Sequence, residues 1–148
     1  MIYEDETPVY FAHANLVPRA GWRWEHFTPN ELASNGDGSL IVVPIFLDKL
    51  EMLRRLVGHP LFLTSAYRDP VYNNIVSSTG LEGPHTTGRA ADIGIHGAPA
   101  YALIEHIPVV GFTGCGIKQK GSLSSRFIHV DDLEEEDGHM PRPWLWSY

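Results

Sequence analysis

Residues 83–95 read "GPHTTGRAADIGI", and the passage here from a polar loop into an extended segment decides how the chain folds. From Arg89 the run is short, apolar and followed by turn formers, the pattern of a strand. Alternation along a strand puts Ala90, Asp92 and Gly94 on one face and Arg89, Ala91 and Ile93 on the other. Asp92 then has only small neighbours on its own face, which leaves space beside its carboxylate. Further along, "RFIHVD" obeys the same rule: Ile128 and Val130 turn to a core, while Phe127, His129 and Asp131 share the opposite face. With both strands in one sheet, Asp92 and His129 meet above it. His85, on the loop that feeds the first strand, then completes a His/Asp/His set with its remaining coordination positions open to water, the arrangement of a catalytic zinc. Spacing alone leaves a second reading open, in which Asp92 caps a turn and both histidines are ordinary, partly buried imidazoles.

Outward from these strands, "HFTPNELAS" carries a helix start, with Thr28 as N-cap, Pro29 at the first helical position and Glu31 three residues after the cap. "SNGDGS" is a turn. From about Val43 to Val57, Ile45, Phe46, Leu50, Leu53 and Leu56 recur at helical spacing and stop before Gly58 and Pro60. "LFLTSAYR" reads as a strand that ends where "DP" forces a turn. "VYNNIVSSTGLEGP" reads as a short helix and a loop, "APAYALIEHI" as a helix, and "VVGFTGCGI" and "SRFIHVDD" as two strands joined by the polar turn "KQKGSLS". In "PRPWLWSY", Trp144 and Trp146 alternate as in a strand, against the commoner case of a tail that packs over the core. Residues 1–24 are irregular and form an N-terminal arm or lead-in, and residues 25–148 form the domain. Strands cluster late and helices flank them, so the class is α+β with a small, mostly antiparallel sheet.

A chain of 148 residues, 43% of them hydrophobic, suits one domain with a sizeable core. Eleven basic against eighteen acidic side chains give a net charge of −7, with no Lys/Arg stripe to neutralise a phosphate backbone, so no nucleic-acid partner is expected. Cys115 is the only cysteine, which rules out an internal disulfide and a thiolate-rich zinc knuckle. Any metal must be held by histidine and carboxylate. The N-terminus opens with acids and lacks the apolar core of a secretory signal, and no stretch is long enough to span a membrane. A protein cytoplasmic at synthesis, and a monomer, is expected.

"TSAYRDPVYN", "HTTGRAAD" and "FIHVD", in that order, resemble the peptidase M15 family of zinc D-Ala-D-Ala carboxypeptidases and related peptidoglycan endopeptidases, in its small single-domain branch. The pattern H-x-x-G-x-A-x-D is met by His85, Gly88, Ala90 and Asp92, and the likeness runs from about residue 25 to 148. The resemblance implies a hedgehog/DD-peptidase type of fold, one Zn2+ held by His85, Asp92 and His129, and the peptidoglycan stem peptide as substrate, cut beside a D-amino acid at the cell wall or periplasm. A phage-type endolysin, released by a partner, suits the absence of a signal. Two departures stand out. Gly83 occupies a place where the family often has serine, and Arg126 and Phe127 occupy places where some branches carry an acid or a histidine.

The general base is therefore not fixed by resemblance. Asp131, two residues from His129 on the same face, is the candidate, with a carboxylate that orients an imidazole as the alternative. Glu82 is a weaker one. Arg68 after the "TSAY" strand is the candidate to grip a substrate carboxylate or stabilise an oxyanion, against an internal pair with Asp69 or Asp92. Tyr67, Ser65, Asn73 and Trp144 complete the expected substrate-binding set. Cys115 is read as a small buried residue, and His13, His26, His59, His96, His106 and His139 are given no role. A different class remains, a non-catalytic module that keeps the metal and binds wall peptide or a protein partner.

Overall fold

The computed structural model describes residues 2–139 and 141–148. Its first strand, β1 (Val9–Phe11), pairs antiparallel with β2 (Leu40–Val42) in a two-stranded sheet, in register Tyr10 with Ile41. Between them lies α1 (Pro29–Leu32), one turn long, held by the expected capping box: the Thr28 hydroxyl accepts from the Glu31 N–H, and the Glu31 carboxylate accepts from the Thr28 N–H at 2.7 Å. β2 runs directly into α2 (Pro44–Val57). This helix starts on a proline whose missing N–H costs nothing there, and stops at Gly58, whose φ of 72° lets its N–H return to the Arg54 carbonyl.

The second sheet holds β3 (Phe62–Ser65), β4 (Ala90–Gly94), β5 (Gly114–Lys118), β6 (Phe127–Asp131) and β7 (Trp144–Ser147), in the order β3-β4-β6-β5-β7. Every neighbouring pair is antiparallel except β5 and β7, which run parallel. α3 (Pro70–Val76) leaves the end of β3 and α4 (Gly97–Ile104) the end of β4. The class is α+β, as the sequence predicts. One face of the large sheet presents Leu63, Ala91, Ile93, Ile128 and Val130, which form one buried cluster with Phe46, Leu47, Leu50 and Leu53 of α2 and Leu103 of α4. Each such side chain withdrawn from water contributes roughly 1.5–3 kcal/mol. Tyr3 and Trp24 belong to the same cluster, their rings meeting edge to face at 5.5 Å.

Two segments depart from the sequence reading. Val109–Phe112 does not extend the fifth strand. The Val110 N–H bonds to the His106 carbonyl, Gly111 takes φ 98°, and Phe112 folds inward to meet Phe46 at 5.8 Å between ring centroids. These amides are used in turns, so the ladder begins only at Gly114. β2, which the sequence reading leaves unassigned between the turn and the helix, is a strand because β1 supplies its partner. Among the described residues no helix is long and apolar enough to cross a membrane.

Candidate metal centre

The face of the large sheet opposite the core carries the site, and strand register builds it. Asp92 of β4 lies opposite His129 of β6, which lies opposite Gly116 of β5, which lies opposite Trp146 of β7. Ser65 of β3 pairs with Asp92 on the other side, so one row across the sheet reads Ser65, Asp92, His129, Gly116, Trp146. The adjacent row reads Ala90, Asp131, Gly114, Trp144. The two glycines make space: a Cβ on Gly116 would come 2.5 Å from the Trp146 indole, and one on Gly114 would overlap the Asp131 carboxylate. His85 arrives from a 3-10 turn, Pro84–Thr87, that ends at Gly88 with φ 79°. That turn is tied to the end of β3, because the Arg68 N–H donates to the His85 carbonyl at 3.0 Å.

His85, Asp92 and His129 are buried and each offers one ligand atom, all within 4.8 Å of one another. Their hydrogen bonds fix which nitrogen each ring offers. His85 Nδ1 lies 2.6 Å from the Ala66 carbonyl, which only accepts, so Nδ1 carries the proton and Nε2 is turned to Asp92 Oδ1 at 3.2 Å. His129 Nε2 lies 2.8 Å from Asp131 Oδ2, so it donates there and turns Nδ1 to the same Asp92 Oδ1 at 3.0 Å. Burial acts to raise the Asp92 pKa, but the charge and hydrogen bonds of His85 and His129 prevail and hold it well below the usual carboxylate range. Burial likewise disfavours charge on His129, yet Asp131 and Asp92 outweigh it and raise its pKa. The pocket favours positive charge at the point these atoms share. Two imidazoles and a carboxylate at such spacing fit a divalent cation that replaces the proton.

Asp131 is fully buried and held on both oxygens. Arg142 donates Nε to Oδ1 at 2.9 Å and Nη2 to Oδ2 at 2.8 Å, in a bidentate fork. Burial opposes ionisation, but the bonds from His129 and Arg142 bring the Asp131 pKa down to about 2. Arg142, flanked by Pro141 and Pro143, is a site residue that the sequence reading missed. An arginine rigidified between two prolines, 11 residues after a strand carboxylate, was the available signal.

A cleft of about 740 Å³ opens over the row. Arg68, Ser65 and Trp144 line it; Tyr67 and Asn73 do not. Tyr67 lies 5% exposed in the core, its N–H bonded to the Leu32 carbonyl, because the chain turns after β3 and carries this residue inward. Asn73 is fully buried and instead braces Arg68, accepting from its Nη1 at 3.2 Å while donating to Thr79 Oγ1 and the Gly80 carbonyl. Arg68 also donates Nε to Ser65 Oγ at 3.0 Å and Nη2 to Asp92 Oδ2 at 3.3 Å. Three of its five N–H donors are thus engaged on the protein, and two are left for a ligand. Trp146, Tyr148 and His139 also line the cleft. His139 sits on the loop that follows β6, and only the fold brings that loop to the cleft.

The departures noted in the sequence acquire reasons here. A side chain on Gly83 would collide with Thr79, whose hydroxyl fills the place where a serine at 83 would stand. Arg126 donates twice to the Gly121 carbonyl and braces the turn before β6, while Phe127 lines the cleft. Glu82 is exposed and does not line the cleft. Cys115 projects from β5 between the two glycines, away from the site, and burial followed by the Asp131 charge pushes its thiol up to about 11.

The family model described as Peptidase M15 matches residues 25–131. That span takes in β2 to β6 and every one of His85, Asp92, His129 and Asp131, and stops short of Arg142 and β7. No match is found among curated proteins, and none among solved structures.

Proposed function

The chain belongs to the peptidase M15 family, and from that premise we propose that it is a zinc-dependent peptidase of bacterial cell-wall peptide, cutting beside a D-amino acid as a carboxypeptidase or endopeptidase. The observation that carries the zinc reading is the convergence of His85 Nε2, Asp92 Oδ1 and His129 Nδ1 on one point at the floor of an open cleft. A zinc ion bound there supplies Lewis-acid activation of water and of the scissile carbonyl.

The chain's own residues divide the remaining work. Arg68 presents its two unused N–H donors to a substrate carboxylate or to the oxygen on which charge develops, and Asn73 and Ser65 hold that fork in place. Asp131, with both oxygens committed, positions the His129 ring and fixes its tautomer, a better match to its surroundings than proton transfer. Proton transfer falls to His139, an imidazole that lines the cleft and can both accept and donate a proton. The wall outside the cytoplasm is where such a substrate is met, and a phage-type lysin is one form of this activity.

A second reading, a wall-binding module without catalysis, is favoured by one observation: among the described residues the cleft is lined by no carboxylate other than Asp92. Purified cell wall incubated with zinc-loaded protein and with His129→Ala decides between them. Hydrolysis predicts new amino groups from the first and none from the second. Co-sedimentation of both with the wall, without new amino groups, would select the binding module.

A further inference from the structure

The two sides of the cleft differ in chemistry. At the β7 edge, Trp144, Trp146 and Tyr148 stand at alternate positions, and all three line the cleft beside Phe127. Their rings follow one another at 4.9 Å from Trp144 to Trp146 and 6.4 Å from Trp146 to Tyr148, and Phe127 meets Tyr148 at 5.1 Å. Trp144 is 45% exposed and Tyr148 48%, whereas Tyr3, Trp24 and Phe27 in the core are each 1% exposed. Two half-exposed rings on either side of the partly buried Trp146 keep apolar surface in water and mark a binding surface. At the other edge of the sheet, β3 and the turn after α3 contribute Thr64, Ser65, Ser77, Ser78 and Thr79, all hydroxyls.

A ligand that satisfies both sides has a flat apolar face and a rim of uncharged hydrogen-bonding groups. An amino-acid side chain offers at most a flat face with a single polar group, as in tyrosine or tryptophan. A pyranose ring offers both, with C–H bonds on its face and hydroxyl or acetamido groups around its edge. The volume of about 740 Å³ lies in the range that encloses a ligand larger than the two residues flanking one bond. We propose that the aromatic ladder of β7 is a subsite for an N-acetylated aminosugar, so that the cleft takes a peptide still attached to its glycan. This rests on the peptidase reading for the place of the peptide over His85, Asp92 and His129, and it adds the sugar.

The test compares four probes by calorimetry on the full chain: N-acetylmuramoyl-L-alanyl-D-isoglutamine, the same dipeptide with a plain acetyl cap, the dipeptide with a benzoyl cap, and tri-N-acetylchitotriose. The sugar-bearing dipeptide is expected to bind at least about tenfold more tightly than the acetyl-capped one. Chitotriose is expected to bind and to change tryptophan emission. Trp144→Ala and Tyr148→Ala should each cut the sugar advantage about fivefold, with zinc content and melting temperature retained, and Trp144→Phe should restore most of it. Equal affinity for the sugar-bearing and acetyl-capped dipeptides overturns the proposal. So does a sugar advantage that survives the Trp144→Ala/Tyr148→Ala double variant, a benzoyl cap that outbinds the sugar, or no binding of any probe. Zinc content and release of amino groups from bare peptide are read in parallel. Hydrolysis without sugar preference removes this subsite and leaves the peptidase, and sugar binding without zinc or hydrolysis does the reverse.

Discussion

Asp131 shows how one residue's partners decide its use. In the sequence its carboxylate, two positions from His129, is the candidate base with support of the imidazole as the alternative, and the Arg142 fork makes support the better match. Asp131→Asn is expected to weaken zinc binding by about 10- to 100-fold, measured by competition with a chromogenic chelator. The same change strands the buried Arg142 charge and should cost about 3–5 kcal/mol in urea unfolding. Unchanged zinc affinity would remove Asp131 from the support of His129. For His139→Gln the expectation is a fall in kcat with KM little changed, whereas an unchanged kcat would assign the proton transfer elsewhere. At Gly83, serine is expected to destabilise by about 1–3 kcal/mol through overpacking against Thr79, and Thr79→Ala in the same chain should recover much of that loss in thermal unfolding.

At the scale of elements, α3 and the loop before β2 are joined through Asp69, the N-cap of α3. Its Oδ1 accepts from the Tyr72 N–H, while Oδ2 accepts from the Ser34 hydroxyl at 2.6 Å and the Asp37 N–H at 3.2 Å. Burial acts to raise its pKa, but these hydrogen bonds prevail and lower it. A carboxylate depressed on folding contributes stability that is complete above its unfolded pKa of about 3.9 and is lost as pH falls through the folded value. Asp69→Asn should therefore cost about 1 kcal/mol or more at neutral pH, with the gap to wild type narrowing as urea unfolding is repeated from about pH 4 downward. A gap that holds constant in acid would show that the charge on Asp69 is not what joins these elements. The periodic elements were legible in the sequence because local signals agree there: the capping box of α1, the helical stripe and Gly58 stop of α2, and the alternation of β4 and β6. β2 was not, because three apolar residues running into a helix carry no period of their own and become a strand only when β1 pairs with them.

For the whole molecule, the site ties a loop, two adjacent interior strands of the large sheet and the tail into one unit. A cation that binds only the folded chain stabilises it by mass action, about 2.7 kcal/mol at a hundredfold excess over Kd. Chelator-stripped protein is therefore expected to melt at lower temperature than zinc-loaded protein, and His129→Ala should show no zinc-dependent shift. The sequence by itself determined the fold class, the strands β4 and β6 and the three residues able to meet at one point, because strand alternation and the H-x-x-G-x-A-x-D spacing are local and survive without a partner. Tertiary structure alone decided the rest. Tyr67 was turned into the core, Asn73 was placed behind Arg68, Arg142 was delivered to Asp131, and Trp146 and Tyr148 were set beside the expected Trp144 by a parallel pairing with β5. Each of these depends on contacts between segments distant in the chain, whose register is fixed by packing and not by any pattern within either segment.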